Sequence, residues 1–449
     1  MDMDTKCRVL RKSLLLTSLL IVVLVSSLFV CVFMNSSSGA SLENAVHVKN
    51  ETELKNAVNN APDGRPTTIA LDNDITLTTY DEGNHTYNYA VATLIIPANK
   101  DITLTSNRAD GFYKLIGAVD IATILVGGSG VLRIDGIIVT HKNGVSGHGI
   151  HVLSMGDGGV LYLCSGEISG NTVNDPFTGG GVANVGTFIM SGGKITGNSA
   201  WKDAGGVYNG GTFKMTGGEI SGNTAGSCGG GVSNGYYGSF TMSGGIISSN
   251  TANSGGGVYI NIFSEYTMSG GEILGNKAFK QGGGIFNSGA SLFVMSGGTI
   301  YNNSAENGGG VYHGGEVFTM SGGKITGNTA ILGGGVYVHN NYVFNRQGGV
   351  ISDNTATNKD NDVYLNDNDD SSSNNDGGFS NGNGGSSNGN DNGSDGNGEG
   401  SSMVDGFSLR DIVFICVGIV IVVVGVVVAV LLFIFKKELK LAKEKTIQA

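Results

Sequence analysis

His148 is the residue whose type and setting first suggest acid–base chemistry, within Ser146-Gly147-His148-Gly149. Hydrolysis of a glycosidic bond requires two carboxyl groups, one to protonate the leaving oxygen and one to activate water. Asp135 and Asp157 are isolated in the sequence, and no Asp-Asp pair precedes the histidine. His148 also stands where later repeats have the middle glycine of a triplet. We therefore predict no catalytic residue and a protein that is not an enzyme.

Metal-dependent chemistry is also poorly supported. A calcium-dependent lyase needs clustered carboxylates with an arginine nearby, whereas residues 161–354 contain scattered acids and almost no arginine. We predict no metal site and no cofactor. The net charge of −11 argues against nucleic acid as a partner, because phosphate binding requires clustered positive charge.

A file of aromatic residues is the best candidate for ligand binding. Each follows an inward-pointing valine or isoleucine and is predicted to point outward, where flat rings can contact sugars or proteins. The alternative is that neighbouring rings only stiffen the sheet by stacking. The file, interrupted at Ser233, consists of Tyr208, Tyr259, Phe286, Tyr312, Tyr337 and Tyr364.

All of these residues except Tyr364 lie in a region, residues 161–354, in which one sequence segment is repeated eight times. Its form is F-x-M-S-G-G-x-I-x-G-N-T-A, then a variable stretch, then G-G-G-V-Y-N, with successive spacings of 27, 25, 27, 26, 27, 25 and 26 residues. Fixed segments joined by stretches of variable length indicate a stacked repeat. One asparagine closes each block, and we predict that these form a corner column whose amides bond to the coils above and below: Asn171, Asn198, Asn223, Asn250, Asn276, Asn303, Asn328 and Asn354.

The periodicity within each block is that of strands. Apolar residues alternate with polar ones, as at Phe213, Met215 and Ile220, and glycines or asparagines follow at the corners. Each period offers three short strands, around Val207, around Phe213 and around Ile220. The sequence therefore predicts an all-β fold, a right-handed parallel β-helix of about 12 coils with repeats of ~26 residues. It comprises irregular coils at 41–140 and regular repeats at 141–365, and Leu54, Ala57 and Val58 are predicted to form the apolar side of an N-terminal capping helix.

The repeat motifs resemble those of known surface proteins. I-x-G-N-T-A followed by G-G-G-V-Y is similar to the F-x-x-N and G-G-A-I/L/V motifs of the polymorphic outer-membrane protein repeats, and more broadly to adhesin-like surface proteins with a right-handed β-helix. The resemblance covers about 200 residues, although isoleucine replaces the phenylalanine of that family and a third glycine replaces its alanine. The irregular coils resemble the start of pectate-lyase-like β-helices, and the G-H-G around His148 resembles that of polygalacturonases.

The two ends of the chain predict attachment to a membrane. Residues 1–40 have a basic start and an apolar core, which indicates a signal peptide or an N-terminal anchor. Residues 366–410 are rich in Asn, Gly, Ser and Asp and are predicted to be a disordered linker. Residues 411–435 are predicted to be a transmembrane helix, and the basic tail 436–449 is predicted to be cytoplasmic.

Together these features predict an integral membrane protein that displays a β-helix on the cell surface. By analogy with the surface proteins that it resembles, the expected role is that of an adhesin-like protein with a face that binds a host, cell or glycan ligand. The first alternative is a polysaccharide lyase or glycoside hydrolase of the pectate-lyase-like fold. The second is a purely structural surface coat. The sequence leaves the oligomeric state open.

Overall fold

The chain folds into a parallel β-solenoid of about 12 coils, which confirms the predicted architecture at that level. The structure is a computed structural model that describes residues 42–80, 92–154, 156–174, 179–340 and 342–366. Thirty strands form one continuous sheet that wraps around three faces of the coil. The right-handed winding stays a prediction, in line with the general preference of parallel crossovers.

The first face, called here the valine face, carries the column that contains Val207, Val232 and Val258. These residues pair directly between successive coils, so that one residue of each coil lies over its equivalent in the next. Its strands are β4 (Ala92–Ile96), β7 (Ala122–Val126), β9 (Ile150–Val152), β12 (Val182–Asn184), β16 (Val207–Asn209), β20 (Val232–Asn234), β24 (Val258–Ile260), the first parts of β28 (Ile285–Met295) and β30 (Val311–Met320), β33 (Val336–His339) and β37 (Val363–Asn366).

The second face, the phenylalanine face, buries an aromatic stack along the axis of the solenoid. Phe188 and Phe213 are 4.7 Å apart between ring centroids, with an angle of 3° between the ring planes. That spacing matches the ~4.8 Å between paired strands. The strands are β1 (Val46–Val48), β2 (Pro66–Leu71), β5 (Asp101–Ser106), the first parts of β8 (Val131–His141) and β10 (Val160–Ser169), β13 (Thr187–Met190), β17 (Thr212–Met215), β21 (Ser239–Met242), β25 (Glu265–Met268), the second parts of β28 and β30, and β34 (Val343–Arg346).

The third face, the isoleucine face, contributes the remaining large side chains of the core. Ile195, Ile220 and Ile247 are fully buried and pair in register. Its strands are β3 (Ile75–Leu77), β6 (Lys114–Gly117), the second parts of β8 and β10, β14 (Lys194–Thr196), β18 (Glu219–Ser221), β22 (Ile246–Ser248), β26 (Glu272–Leu274), β29 (Thr299–Tyr301), β31 (Lys324–Thr326) and β35 (Val350–Ser352).

A fourth, shorter face corrects the prediction of three strands per coil. The two residues after each corner asparagine except Asn303 lie in a strand of their own, and the second of them, usually alanine, points inward, as at Ala225 and Ala252. A single buried alanine gives too weak an apolar period to be recognised in the sequence. The strands of this alanine face are β11 (Thr172–Val173), β15 (Ser199–Ala200), β19 (Thr224–Ala225), β23 (Thr251–Ser254), β27 (Lys277–Gln281), β32 (Thr329–Leu332) and β36 (Thr355–Lys359).

The glycine triplet at the next corner is required by close approach of the backbone. Gly255 has a φ of +63°, which is unfavourable for any residue with a Cβ. A Cβ on Gly256 would lie 2.6 Å from the carbonyl oxygen of Gly283 in the next coil. A Cβ on Gly257 would lie 3.0 Å from Nδ2 of Asn276 inside the core. The triplet therefore lets coils approach at strand spacing while they turn.

The N-terminal end of the core is covered by a helix. After a 3₁₀ turn (Leu42–Asn44), α1 (Glu51–Asn60) begins at Asn50, whose side chain accepts a hydrogen bond from the backbone N of Glu53. Leu54 and Val58 of the predicted apolar side are fully buried in the same cluster as Val48. Ala57 is partly buried against that cluster.

The predictions for the two ends of the chain lie outside the described residues. This applies to the leader at 1–40, nearly all of the linker at 366–410, the transmembrane helix at 411–435 and the tail at 436–449. Among the described residues, no helix has the length and apolar character needed to cross a membrane.

Candidate functional site

The predicted corner asparagines form a continuous buried ladder of side-chain amides. Asn250 is representative: its Nδ2 donates to Oδ1 of Asn276 at 3.0 Å and to the carbonyl oxygen of Ile220 at 2.9 Å. Its backbone N donates to the same Oδ1 of Asn276, also at 3.0 Å. Each amide thus bonds to the coil on either side, and the pattern repeats from Asn171 to Asn354. The ladder satisfies the polar groups of a corner that is sealed from water.

The ladder ends on different groups at its two ends. At the C-terminal end, Asn354 donates from Nδ2 to Oδ1 of Asp362 at 2.9 Å. At the N-terminal end, Nδ1 of His141 lies 2.8 Å from Oδ1 of Asn171, and its Nε2 lies 2.8 Å from the carbonyl oxygen of Ile121. Both ring nitrogens therefore face acceptors. These contacts assign His141 a structural role.

A second asparagine ladder was missed by the sequence analysis, although its residue closes the G-G-G-V-Y-N motif. Asn184 donates to Asn209, and Asn209 to Asn234, each with 2.7 Å between Nδ2 and Oδ1. Ile260 interrupts this column in the next coil. Because the run is only three residues long, it did not appear as a column. Oδ1 of Asn184 is buried without a hydrogen-bond partner among the described residues.

Beyond Ile260, the same column continues with Asn287 and His313. Nδ2 of Asn287 lies 3.0 Å from Nδ1 of His313, and Nε2 of His313 lies 3.0 Å from the carbonyl oxygen of Val343. Burial lowers the pKa of His313 to about 4, although the hydrogen bond to Val343 opposes that effect. His313 is therefore neutral near pH 7, and donation from Nε2 to Val343 leaves Nδ1 to accept from Asn287.

The aromatic file is assembled but is less exposed than predicted. Tyr312 and Tyr337 are only 5% and 7% exposed. The others, Tyr208, Tyr259, Phe286 and Tyr364, are half-buried. The physical reason is mutual coverage: ring centroids of consecutive members from Tyr259 to Tyr364 are 5.0, 4.9, 4.9 and 5.1 Å apart. His339 and Tyr342 pack beside them.

The stacking decides what the file can bind. The planes of Phe286 and Tyr312 are 2° apart, so each ring covers a face of its neighbour. Sugars bind aromatic side chains through the ring face. From Tyr259 to Tyr364 the ring faces that point at each other are occupied, whereas Tyr208 lies apart from this stack beside Ser233. Burial raises the pKa of Tyr259 to about 12, so its phenol stays protonated over the usual pH range. Stacking of this kind favours the alternative that the file stiffens the valine face, and ligand binding by the file stays a prediction.

A different aromatic pair is exposed at the corner between the valine and phenylalanine faces. Tyr237 is 76% exposed and Phe263, in the next coil, is 54% exposed. Their centroids are 5.7 Å apart with 12° between ring planes. Tyr236 beside them is exposed as well. We call Tyr236, Tyr237 and Phe263 the corner aromatic patch.

The backbone under this patch is strained. Tyr237 and Phe263 have φ values of 57° and 59°, in the left-handed region. That region is unfavourable for residues with a Cβ by roughly 1–2 kcal/mol and is unusual for bulky ones. The other described non-glycine residues with positive φ are Asn99, Ala204, Ser249, Asn302, Asn340, Asp353 and Asp360, all small or polar. The sequence signal was a two-residue extension of this corner, as in N-G-Y-Y-G-S compared with N-G-G-T.

The surroundings of His148 are those of a structural residue. Its Nδ1 lies 2.8 Å from the carbonyl oxygen of Gly179, and its ring is 5.6 Å from that of His151. Burial, and to a smaller extent the charge of His148, lowers the pKa of His151 to about 4. The hydrogen-bond partner of Asp135 is Ser165, whose hydroxyl donates to Oδ1 of Asp135 at 2.8 Å.

The remaining groups that could be reactive are possible metal ligands and the cysteines. Within the described ranges, no three or more His, Cys, Asp or Glu side chains are grouped so that they could hold a metal ion. Cys164 and Cys228 are free thiols. Burial raises the pKa of both, which lowers the reactive thiolate fraction.

Comparisons of the chain with protein-family models, curated proteins and solved structures give no match.

Proposed function

We propose that this chain is an adhesin-like protein, in which the β-solenoid is a rigid support for a ligand-binding surface. The observation that carries the proposal is the pair Tyr237 and Phe263, two exposed aromatic residues held in a left-handed backbone. Glycine would adopt this backbone conformation without strain at both positions. Strain and apolar exposure combined at one corner are typical of residues kept for binding.

The pair is pre-organised for a flat ligand. Each ring has only two rotatable bonds, and the rings stack on each other, so that little entropy is lost on binding. Polar groups start the strands directly beside the patch, where Ser239 pairs with Glu265. In this stack of two, each ring keeps one face that its partner does not cover. Stacking on such a face, with hydroxyl and carboxylate groups at the side, is the chemistry that recognises a sugar ring. The proposed ligand is therefore a glycan on another surface.

The experiment is binding of the full-length protein to a glycan array and to cells. We expect Tyr237→Gly and Phe263→Gly each to weaken binding at least about tenfold, as for anchor residues of an interface. Tyr80→Ala is the control, because Tyr80 is an exposed tyrosine in an irregular coil.

Three outcomes would overturn the proposal. Binding that survives both glycine substitutions would place the ligand elsewhere. The lack of any ligand on the arrays and cells would favour the structural-coat alternative. Turnover of an acidic polysaccharide that is abolished by His148→Ala would favour the carbohydrate-active enzyme.

A further inference from the structure

The uncovered face of the Tyr237 ring looks over a corner made of glycine. Its other face stacks on Phe263 of the next coil, so the uncovered face is directed at the preceding coil. There the corner consists of Gly210 and Gly211, and the backbone N of Ser239 donates to the carbonyl oxygen of Gly211 at 2.9 Å. The longer corner of Tyr237 therefore stands next to a floor of two glycines. Glycine lets a ligand approach the backbone closely, so a flat ring has room to lie against Tyr237.

Hydroxyl groups flank this glycine floor on both sides. On the valine face, the phenol of Tyr208 ends beside the same corner, because a Cβ on Gly235 would lie 2.6 Å from its hydroxyl oxygen. On the phenylalanine face, Thr212 alternates with a buried residue, points outward and pairs with Ser239. A ring face at one end and hydroxyls at two sides suit a sugar, whose own hydroxyls donate and accept hydrogen bonds.

One positive charge lies on the coil of the glycine floor. Lys214 is exposed, two residues after Thr212 on the outward side of the phenylalanine face. It is the only positively charged residue between Lys202 and Lys277. Among the residues that the structure describes, it forms no ion pair. Two residues of a strand cover roughly 7 Å, and a lysine side chain spans a similar distance. The ammonium group can therefore reach a ligand that lies on the floor.

The carboxylates around this coil do not neutralise Lys214. Glu219, on the same coil, lies on the isoleucine face, where its Oε2 is 3.2 Å from Nζ of Lys194. Glu265 is exposed beside Phe263, two coils and roughly 10 Å further along the axis. An anionic group is therefore attracted to the glycine floor and repelled at the opposite end of the corner aromatic patch.

From this asymmetry we infer that the site takes a sugar that carries a carboxylate, a uronic or sialic acid, at the uncovered face of Tyr237. The inference rests on the proposed function and adds the class of its ligand. The sugar ring stacks on Tyr237, its hydroxyls bond to Tyr208 and Thr212, and its carboxylate accepts hydrogen bonds from the ammonium group of Lys214. Because the whole chain has a net charge of −11, only a local positive charge can select an acidic ligand.

Two acidic oligosaccharides and their methyl esters test the inference. Sialyllactose and trigalacturonate represent the two sources of a sugar carboxylate, and esterification removes the charge but keeps the rest of each sugar. We expect the full-length protein to bind one or both acids about tenfold or more tightly than the corresponding ester, because the charge-assisted hydrogen bonds are lost in the ester. Raising the salt concentration from about 0.05 M to about 0.5 M should weaken binding of the acid and not of the ester.

Replacing Lys214 tests the residue itself. Lys214→Gln is expected to lower the affinity for the acid about tenfold, to the level of the ester, and to leave the affinity for the ester unchanged. The matched control is Lys324→Gln, which removes an exposed lysine on the isoleucine face four coils away and should change neither affinity. Because Lys214 is exposed, its replacement leaves the fold intact.

The outcomes separate this inference from the proposed function. If Tyr237→Gly weakens binding of acid and ester alike while Lys214→Gln weakens neither, the patch is a glycan site and the acidic class is wrong. Equal affinity for acid and ester overturns the inference in the same way. A preference for the acid that Lys214→Gln leaves intact would place the carboxylate elsewhere. If no glycan binds, acidic or neutral, the proposed function and this inference fall together.

Discussion

Asp362 occupies the position that a further asparagine of the first ladder would fill, because its Oδ1 accepts from Nδ2 of Asn354 at 2.9 Å. A carboxylate accepts hydrogen bonds but, when ionised, donates none. The ladder can therefore end on Asp362 but cannot continue beyond it. A carboxylate at this corner also repels the same group of a second copy. The C-terminal coil is thus closed to further stacking at this corner by one side chain.

Replacing Asp362 tests this terminating role. Asp362→Ala is expected to lower the free energy of unfolding by about 1–2 kcal/mol, because the buried amide of Asn354 loses its acceptor. Asp362→Asn keeps an acceptor and should cost less than half as much. Urea denaturation measures both, with the exposed Asn358→Ala as control. Equal losses for the alanine and asparagine variants would contradict the assigned role.

The interior of the ladder is expected to be more sensitive than its end. Asn250→Ala removes the acceptor of Asn223 and leaves the carbonyl oxygen of Ile220 without its side-chain donor. The expected loss is about 2–4 kcal/mol, since buried polar groups are left unpaired. Asn345→Ala, at an exposed strand position, should change stability by less than ~0.5 kcal/mol. A similar small effect for Asn250→Ala would show that the ladder contributes little.

Tyr266 is the one member of the phenylalanine-face stack with a polar atom. Its hydroxyl is fully buried, and the contact found for it is the thioether sulfur of Met242 at 3.4 Å, a weak acceptor. Burial raises its pKa far above the ordinary range. Tyr266→Phe is therefore expected to leave the free energy of unfolding unchanged or to raise it by up to about 1 kcal/mol. The melting temperature should change in the same direction. A clear loss, compared with Tyr80→Phe at an exposed position, would reveal a stronger partner for the hydroxyl.

The N-terminal cap is expected to depend on pH through Glu51. Partial burial would raise its pKa, but hydrogen bonds from Thr79 and Thr78 and the contact with Lys55 outweigh burial and lower the pKa to about 2, from an ordinary value of 4.5. Since the folded pKa is depressed, the stabilisation is complete above pH 4.5 and is lost as the pH falls towards 2.

Hydrogen exchange of the α1 amides measures this effect. Protection is expected to fall between pH 4.5 and 2, after correction for intrinsic exchange, by the equivalent of about 1–3 kcal/mol. In Glu51→Gln the protection should be lower at neutral pH and lose this acid-dependent component, whereas Glu43→Gln should behave like the parent. An identical acid response in Glu51→Gln would assign it to another group.

The corner aromatic patch is expected to trade stability for binding. Tyr237→Gly relieves a left-handed backbone, so stability should be unchanged or rise by up to about 1 kcal/mol although glycine adds entropy to the unfolded chain. Tyr237→Ala keeps the strain and serves as the matched comparison. A thermal melt distinguishes them, with Tyr237→Gly melting above Tyr237→Ala. The reverse order would mean that the left-handed backbone at this position costs less than the entropy that glycine adds to the unfolded chain.

The regular coils could be predicted because each of their core residues is one member of a long column. Val207, Phe213 and Ile220 repeat in type and spacing, so their inward orientation follows from alternation alone. The fourth face was missed because alanine is too small to mark a strand. The second ladder was missed because Ile260 interrupts it after three residues.

The binding surfaces were harder to predict because they depend on three-dimensional relationships. Tyr259 and Tyr312 do lie on the outward side of the valine face, but mutual stacking and packing by His339 cover them. Tyr237 and Phe263 lie in corners of variable length, where sequence periodicity gives no orientation. Their positive φ values are visible only in the folded chain.

The first asparagine ladder gives the solenoid a direction, since every bond between two amides runs from Nδ2 of one asparagine to Oδ1 of the asparagine in the next coil towards the C-terminus. It also makes length a modular property. Excising residues 224–250 would bring Asn223 against Asn276, the same donor against the same acceptor, and join it to the same Thr-Ala strand. The rod would shorten by one step of ~4.8 Å while both ends kept their terminating groups. Gain or loss of whole periods can thus adjust how far a surface patch stands from its base without any redesign of the interior.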